Sequence, residues 1–212
     1  MPDNTPLPNW LPPILNPNEF PTIIEFIKHL YCIFENDFMD PNNPLIFNNK
    51  IVKYSLLKLY TRCEKLQAKG FLNCRNVHYN CTNCPYVEKE DIFNHITCKD
   101  FNKNSKNQIR TPGIFEEARA VRIHWIKHII NNYKQIEVYY YQDFDVAENA
   151  LNHCFWLKEQ KYFVVIREDK KGKLFLTTAY YLYDRKGTSR IRNAYKKYCR
   201  ILKENTKKTP IT

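Results

Sequence analysis

Apolar side chains recur at three- and four-residue spacing through Phe20, Ile23, Ile24, Ile27, Leu30, Tyr31 and Phe34, which predicts an amphipathic helix over 19–36. Nine of the twelve prolines fall between Pro2 and Pro44, so residues 1–18 read as an irregular, extended lead-in, with order beginning near Glu19. A second helix is expected over 52–68, with Leu56, Leu57, Tyr60 and Cys63 inward and Gly70 ending it. Residues 99–108 are polar and Asn/Lys-rich, as suits a flexible connector. Pro112-Gly113 then opens a third helix, carrying Glu116 and Glu117 in its first turn and Ala118, Val121, Trp125 and Ile129 on its apolar face, to about Asn132. Four stretches rich in β-branched and aromatic residues follow at 136–141, 151–157, 162–167 and 174–181, the last two joined by a hairpin turn at Gly172. Ser189 is positioned to cap a final helix with Ile191, Ala194, Tyr195, Tyr198 and Leu202 on one face.

This order of elements predicts an α+β fold: an N-terminal helical region, then a four-stranded antiparallel sheet packed against helices. The organisation expected is a lead-in at 1–18, a helical region at 19–105 and a second domain at 106–212. No stretch approaches the length of a membrane span and no leader pattern is present, so a cytoplasmic protein without a membrane partner is expected.

Charge changes the picture in the second half. The formal net charge of +11 over 212 residues lies wholly beyond residue 105, and from Arg185 to Lys208 only Glu204 opposes the basic side chains. Arg190, Lys196, Lys197, Arg200 and Lys203 would lie outside on the last helix, a pattern that favours a polyanion such as RNA; the alternative is a solvated helix face. Only four glycines occur, so neither a dinucleotide fingerprint nor a Walker loop can be written.

Four of the eight cysteines crowd between Cys74 and Cys98, which in a cytosolic chain points to metal before disulfides. Structural Zn2+ would take Cys74, Cys81, Cys84 and Cys98, or His78 in place of Cys98; reduced cysteines without metal are the other reading. His124 and His128 lack the Glu of a zinc-protease motif, and His153 has no partner evident from sequence.

Three segments stand together in the second half: Arg119-Ala-Val-Arg122-Ile-His-Trp125-Ile, Tyr162-Phe-Val-Val-Ile-Arg167 and Leu176-Thr-Thr-Ala-Tyr180. With Asn94-His95-Ile96 upstream and a basic helix behind, this series resembles the phage- and toxin-associated branch of the barnase/EndoU/colicin/RelE-like nuclease superfamily, over about residues 92–200. It departs from that pattern at Asn94, where an aromatic residue is expected, and in the Cys-rich stretch. The resemblance implies a RelE/barnase-like fold and a metal-independent endoribonuclease of toxin or phage-conflict type. Its partners would be RNA and a cognate antitoxin or immunity protein. Cleavage would proceed by attack of the ribose 2′-OH on the adjacent phosphate.

Within that implication His95 is the acid/base candidate, since histidine has an ordinary pKa near 6.5; ligation of zinc beside Cys98 is its alternative. Arg119 and Arg122, three apart, would clamp phosphate from one helix face, or else pair with Glu116 or Glu117. Thr178 and Tyr180, two apart on a strand, would present hydroxyls to one side. The rival functions are a non-catalytic, zinc-containing nucleic-acid-binding module and a nuclease-like protein-interaction subunit.

Overall fold

The computed structural model describes residues 6–55, 89–99 and 114–208. The first helix, α1 (Ile23–Phe34), starts where the Thr22 side chain accepts the Glu25 N–H at 3.2 Å, and its stripe of Phe26, Ile27, Leu30, Tyr31 and Phe34 is buried. A wider turn, Glu35–Met39, continues it and buries Phe38. Two short strands follow, β1 (Ile46–Phe47) and β2 (Lys50–Lys53), joined through Asn48 and Asn49, both at positive φ as a tight hairpin turn requires. Then come α2 (Asp91–Thr97), β3 (Cys98–Lys99), β4 (Ile114–Phe115), α3 (Glu117–Ala120) and α4 (Trp125–Asn131). The chain ends on a meander of β5 (Val138–Asp145), β6 (Ala150–Leu157), β7 (Tyr162–Glu168) and β8 (Leu174–Tyr181), followed by α5 (Arg185–Lys208).

The fold is α+β, but its main sheet has six strands in the order β1-β2-β8-β7-β6-β5 and is mixed, because β2 runs parallel to β8 with Val52 opposite Leu174. This replaces the expected four-stranded antiparallel sheet: β5 to β8 form the antiparallel part, and a ribbon from early in the chain extends it. β3 and β4 make a separate two-stranded pair. One face of the main sheet packs Phe155, Leu157, Tyr162, Val164 and Ile166 against α1, α2 and α4, through Phe34, Phe93, Trp125 and Ile129. The other face packs Tyr141, Cys154, Trp156, Phe163 and Val165 beneath α5, through Ile191, Ala194, Tyr195 and Tyr198. The sheet and the larger core therefore draw on residues from both sides of position 105.

Local expectations are revised for identifiable reasons. Val52 lies in β2 rather than opening a helix, and residues 56–68 are outside the described residues. Ile114 and Phe115 belong to β4, so the third helix starts at Glu117, and it is not continuous to Asn132. Between α3 and α4 the backbone bonds Arg122 N to Arg119 O, Ile123 N to Ala120 O and Trp125 N to Arg122 O, each closing over three residues, and these tighten the chain into turns. The Pro-rich lead-in is irregular but ordered well before Glu19. Leu11 is buried, Trp125 Nε1 donates to Pro12 O at 2.9 Å, and Leu15 N donates to Val121 O. The last helix begins before Ser189: Asp184 Oδ1 accepts Gly187 N–H at 2.6 Å, so the carboxylate, with its negative charge at the helix start, is the cap. Among the described residues no helix is long and apolar enough to cross a membrane.

Candidate functional site

Where α5 leaves β8, a cleft of about 550 Å³ opens on the α5 face of the sheet. Its walls bring together His95 of α2, Arg119 of α3, Thr178 and Tyr180 of β8, and Arg190 of α5. Four of the five residues predicted as catalytic thus meet in one place, although up to 85 positions separate them in sequence.

A bulge supplies two of them. Val165 pairs with Thr178 but Ile166 pairs with Leu176, so Thr177 is an extra residue in β8. Strict alternation from Leu174 and Leu176 would put Thr178 on the α1 face with the leucines. The extra residue turns Thr178 and Tyr180 to the α5 face, where they line the cleft.

Arg119 does more than face the cleft. Its Nη1 donates to His95 O at 2.8 Å and to Cys98 O at 2.7 Å, binding the C-terminal end of α2. Its Nε lies 3.0 Å from Glu116 Oε2, in a pair only 12% and 8% exposed. That N–H is not aligned for a hydrogen bond, so the contact is held by charge. Nη2 makes no hydrogen bond within the described residues and is the nitrogen left for a ligand. The guanidinium also sits 5.8 Å from the centre of the Tyr180 ring.

Arg122 is not in the cleft. Since α3 ends at Ala120, the expected shared helix face of Arg119 and Arg122 does not form. Arg122 is buried, donates to Ala118 O, and lies against the rings of Trp125 and Tyr181, 5.1 and 4.7 Å from their centres.

Burial raises the Tyr180 phenol above its ordinary pKa, opposed by the Arg190 and Arg119 charges, so Tyr180 remains an O–H donor at neutral pH. Cys154, also in the cleft wall, is pushed up to about 12 by burial; it is a neutral thiol, not a nucleophile. Beside these, the cleft holds residues that sequence reasoning missed or assigned to other work: Glu116, Asp143, Asn152, Tyr183 and Asp184. Burial, then the nearby Glu116 carboxylate, raises the Tyr183 phenol. The three-residue spacing of Glu116 and Arg119 was a legible signal; Asp143 and Asn152 carry none, since only strand register brings them there.

Lys196, Lys197, Arg200 and Lys203 are exposed on α5, Arg200 lying 4.0 Å from Glu204. Of the proposed zinc ligands, Cys74, His78, Cys81 and Cys84 lie outside the described residues. Cys98 is buried, its thiol 3.8 Å from Thr97 Oγ1. No cluster of three or more His, Cys, Asp or Glu suited to a metal occurs among the described residues. His124 is held by Pro13 O at 2.9 Å, and burial lowers its pKa. His153 does have partners: Tyr140 Oη at 2.8 Å and Glu168 Oε2 at 3.0 Å, on the sheet face away from the cleft. No protein-family model, characterised protein or solved structure matches the chain.

Proposed function

We propose that the cleft binds RNA and cuts it without a metal, in a protein of the barnase- and RelE-like nuclease class that acts as a toxin or in phage conflict. The observation that carries this reading is the convergence of His95, Arg119, Arg190, Thr178 and Tyr180 on one cleft. In the reaction the ribose 2′-oxygen bonds to the adjacent phosphorus, its proton passing to a base. The bond to the 5′-oxygen breaks as that oxygen takes a proton, leaving a 2′,3′-cyclic phosphate. His95 is the proton carrier, because a histidine exchanges protons near neutral pH. Arg190 and Nη2 of Arg119 face the charge that develops on the phosphate oxygens, and the Thr178 and Tyr180 hydroxyls donate to them. The exposed cations along α5 hold flanking phosphates.

Purified full-length protein is expected to cleave single-stranded RNA in EDTA, and His95→Ala to slow cleavage by about 10²–10⁴-fold. Full activity in that variant would remove His95 from the chemistry. Binding without cleavage is the second reading, favoured by the commitment of Arg119 Nη1 to two backbone carbonyls and of its charge to Glu116. Under it, RNA binds with steep salt dependence and stays intact.

A further inference from the structure

Residues 6–16 run along the body of the protein as a strap, and their composition dictates how they are held. Pro6, Pro8, Pro12 and Pro13 have no N–H to give, so donors come to them from the body. Gln160 Nε2 donates to Pro6 O at 3.1 Å, Trp125 Nε1 to Pro12 O at 2.9 Å, and His124 Nε2 to Pro13 O at 2.9 Å. In return Trp10 Nε1 donates to Glu137 Oε2 at 3.4 Å, and Leu15 N to Val121 O at 3.1 Å. Leu11 is buried, and Leu7, Trp10 and Leu15 pack against the core beside it. Of the three side chains that donate to the strap, only the imidazole changes its proton count near neutral pH.

The His124 ring is placed for one protonation state. A carbonyl only accepts, so in the neutral ring Nε2 carries the proton and Nδ1 is bare. Nδ1 is buried and has no hydrogen-bond partner within the described residues. A second proton would create a buried N–H without an acceptor, a penalty that water relieves once the ring leaves its place. The surrounding charges also oppose that proton. His128 stands one turn further along α4 and His29 acts from α1, both as like charges. Lys127 of α4 is turned to Asp37 and Asn43 O, Lys28 of α1 is paired with Glu25, and residues 6–18 contain no ionisable side chain. Burial lowers the His124 pKa below the ordinary 6.5, and the hydrogen bond to Pro13 opposes that shift without cancelling it.

We propose that His124 is a proton-operated catch on the Pro-rich lead-in: neutral, it holds Pro13 against the start of α4, and on taking a proton it lets the strap go. The released ring takes its proton at the ordinary value and the seated ring only at a lower one. The strap is therefore fully held above pH 6.5, and its hold weakens as pH falls below that. Between the two values the ratio of open to closed strap rises by up to about tenfold per pH unit. Opening uncovers the seat of Leu11 and frees Val121 O, two residues past Arg119 of the cleft. The catch stands whether or not the cleft cuts RNA.

Amide exchange at Leu15 in the full-length protein, followed by NMR and corrected for the intrinsic rate at each pH, reads the opening directly. Protection is expected to fall about threefold or more between about pH 7 and pH 5. In His124→Gln, which keeps a donor for Pro13 O but does not titrate, it should stay level over the same range. Level protection in the parent protein, or an equal fall in His124→Gln, overturns the catch. Ring NMR of the parent gives a second reading that needs no variant. His124 should gain its proton below pH 6.5; titration at or above that value overturns the proposal.

Discussion

Replacing Arg119 by alanine removes a strut as well as a cleft residue. Its guanidinium makes two charge-assisted hydrogen bonds, 2.8 and 2.7 Å, to carbonyls at the end of α2, and a 3.0 Å contact to Glu116. A hydrogen bond to a charged group is worth about 1.5–3 kcal/mol net, and removing one partner of a buried ion pair costs about 3–5 kcal/mol. The two figures overlap, because the same desolvated carboxylate and carbonyls are left behind in both accounts, so the expected loss is about 3–5 kcal/mol in total. That is a large part of the roughly 5–15 kcal/mol typical of a folded domain. Urea unfolding at pH 7, followed by tryptophan fluorescence, measures it. Adding Glu116→Gln to Arg119→Ala should recover about 1–2 kcal/mol, since a buried charge no longer lacks its counter-ion. A loss below about 1 kcal/mol for Arg119→Ala, or strict additivity in the double variant, refutes the strut. Arg190→Ala is the contrasting case: this exposed residue should change stability by no more than about 0.5 kcal/mol while weakening RNA binding.

Other outcomes follow from the same contacts. Hydrogen bonding to Lys50, then to His153, holds the Glu168 carboxyl below its ordinary 4.5; the stability this adds is present above that value and lost as pH falls through the depressed one. Acid titration of unfolding should therefore fall off less steeply below pH 4.5 in Lys50→Met than in the parent. Cys154 should resist alkylation at pH 8 in the native state while exposed Cys32 reacts, as peptide mass mapping would show; rapid labelling of Cys154 contradicts its burial. Trp125→Phe removes the bond to Pro12 O, costing about 1 kcal/mol and raising protease nicking within 6–16. Zinc in the Cys-rich stretch predicts about one metal ion per chain in reduced protein, lost in Cys81→Ser/Cys84→Ser; metal analysis finding none ends that proposal.

What the sequence makes legible follows the length of each periodic signal. The α1 stripe runs through about three turns, and β5 to β8 are each seven or eight residues long and rich in β-branched and aromatic side chains, so both were readable. β1 and β2 are two and four residues long, too short for a period, and the parallel contact of Val52 with Leu174 joins residues far apart in the chain. Arg122 was misplaced because a helical wheel assumes a continuous helix, and the turns after Ala120 break it. Thr178 and Tyr180 do share a face, as their spacing requires, but the bulge at Thr177 decides which face. The pairing of Asp143 with Asn152 depends on hairpin register, which residue types alone leave open.

The central claim is that this cleft cuts RNA through its 2′-hydroxyl, and the ends of the products report on it most directly. A defined single-stranded RNA, incubated with full-length protein in EDTA, should yield 2′,3′-cyclic phosphate and 5′-hydroxyl ends, and the same RNA carrying 2′-deoxy substitution at the cleavage position should stay whole. RNA recovered intact, or cleavage that leaves 5′-phosphate ends, would contradict it.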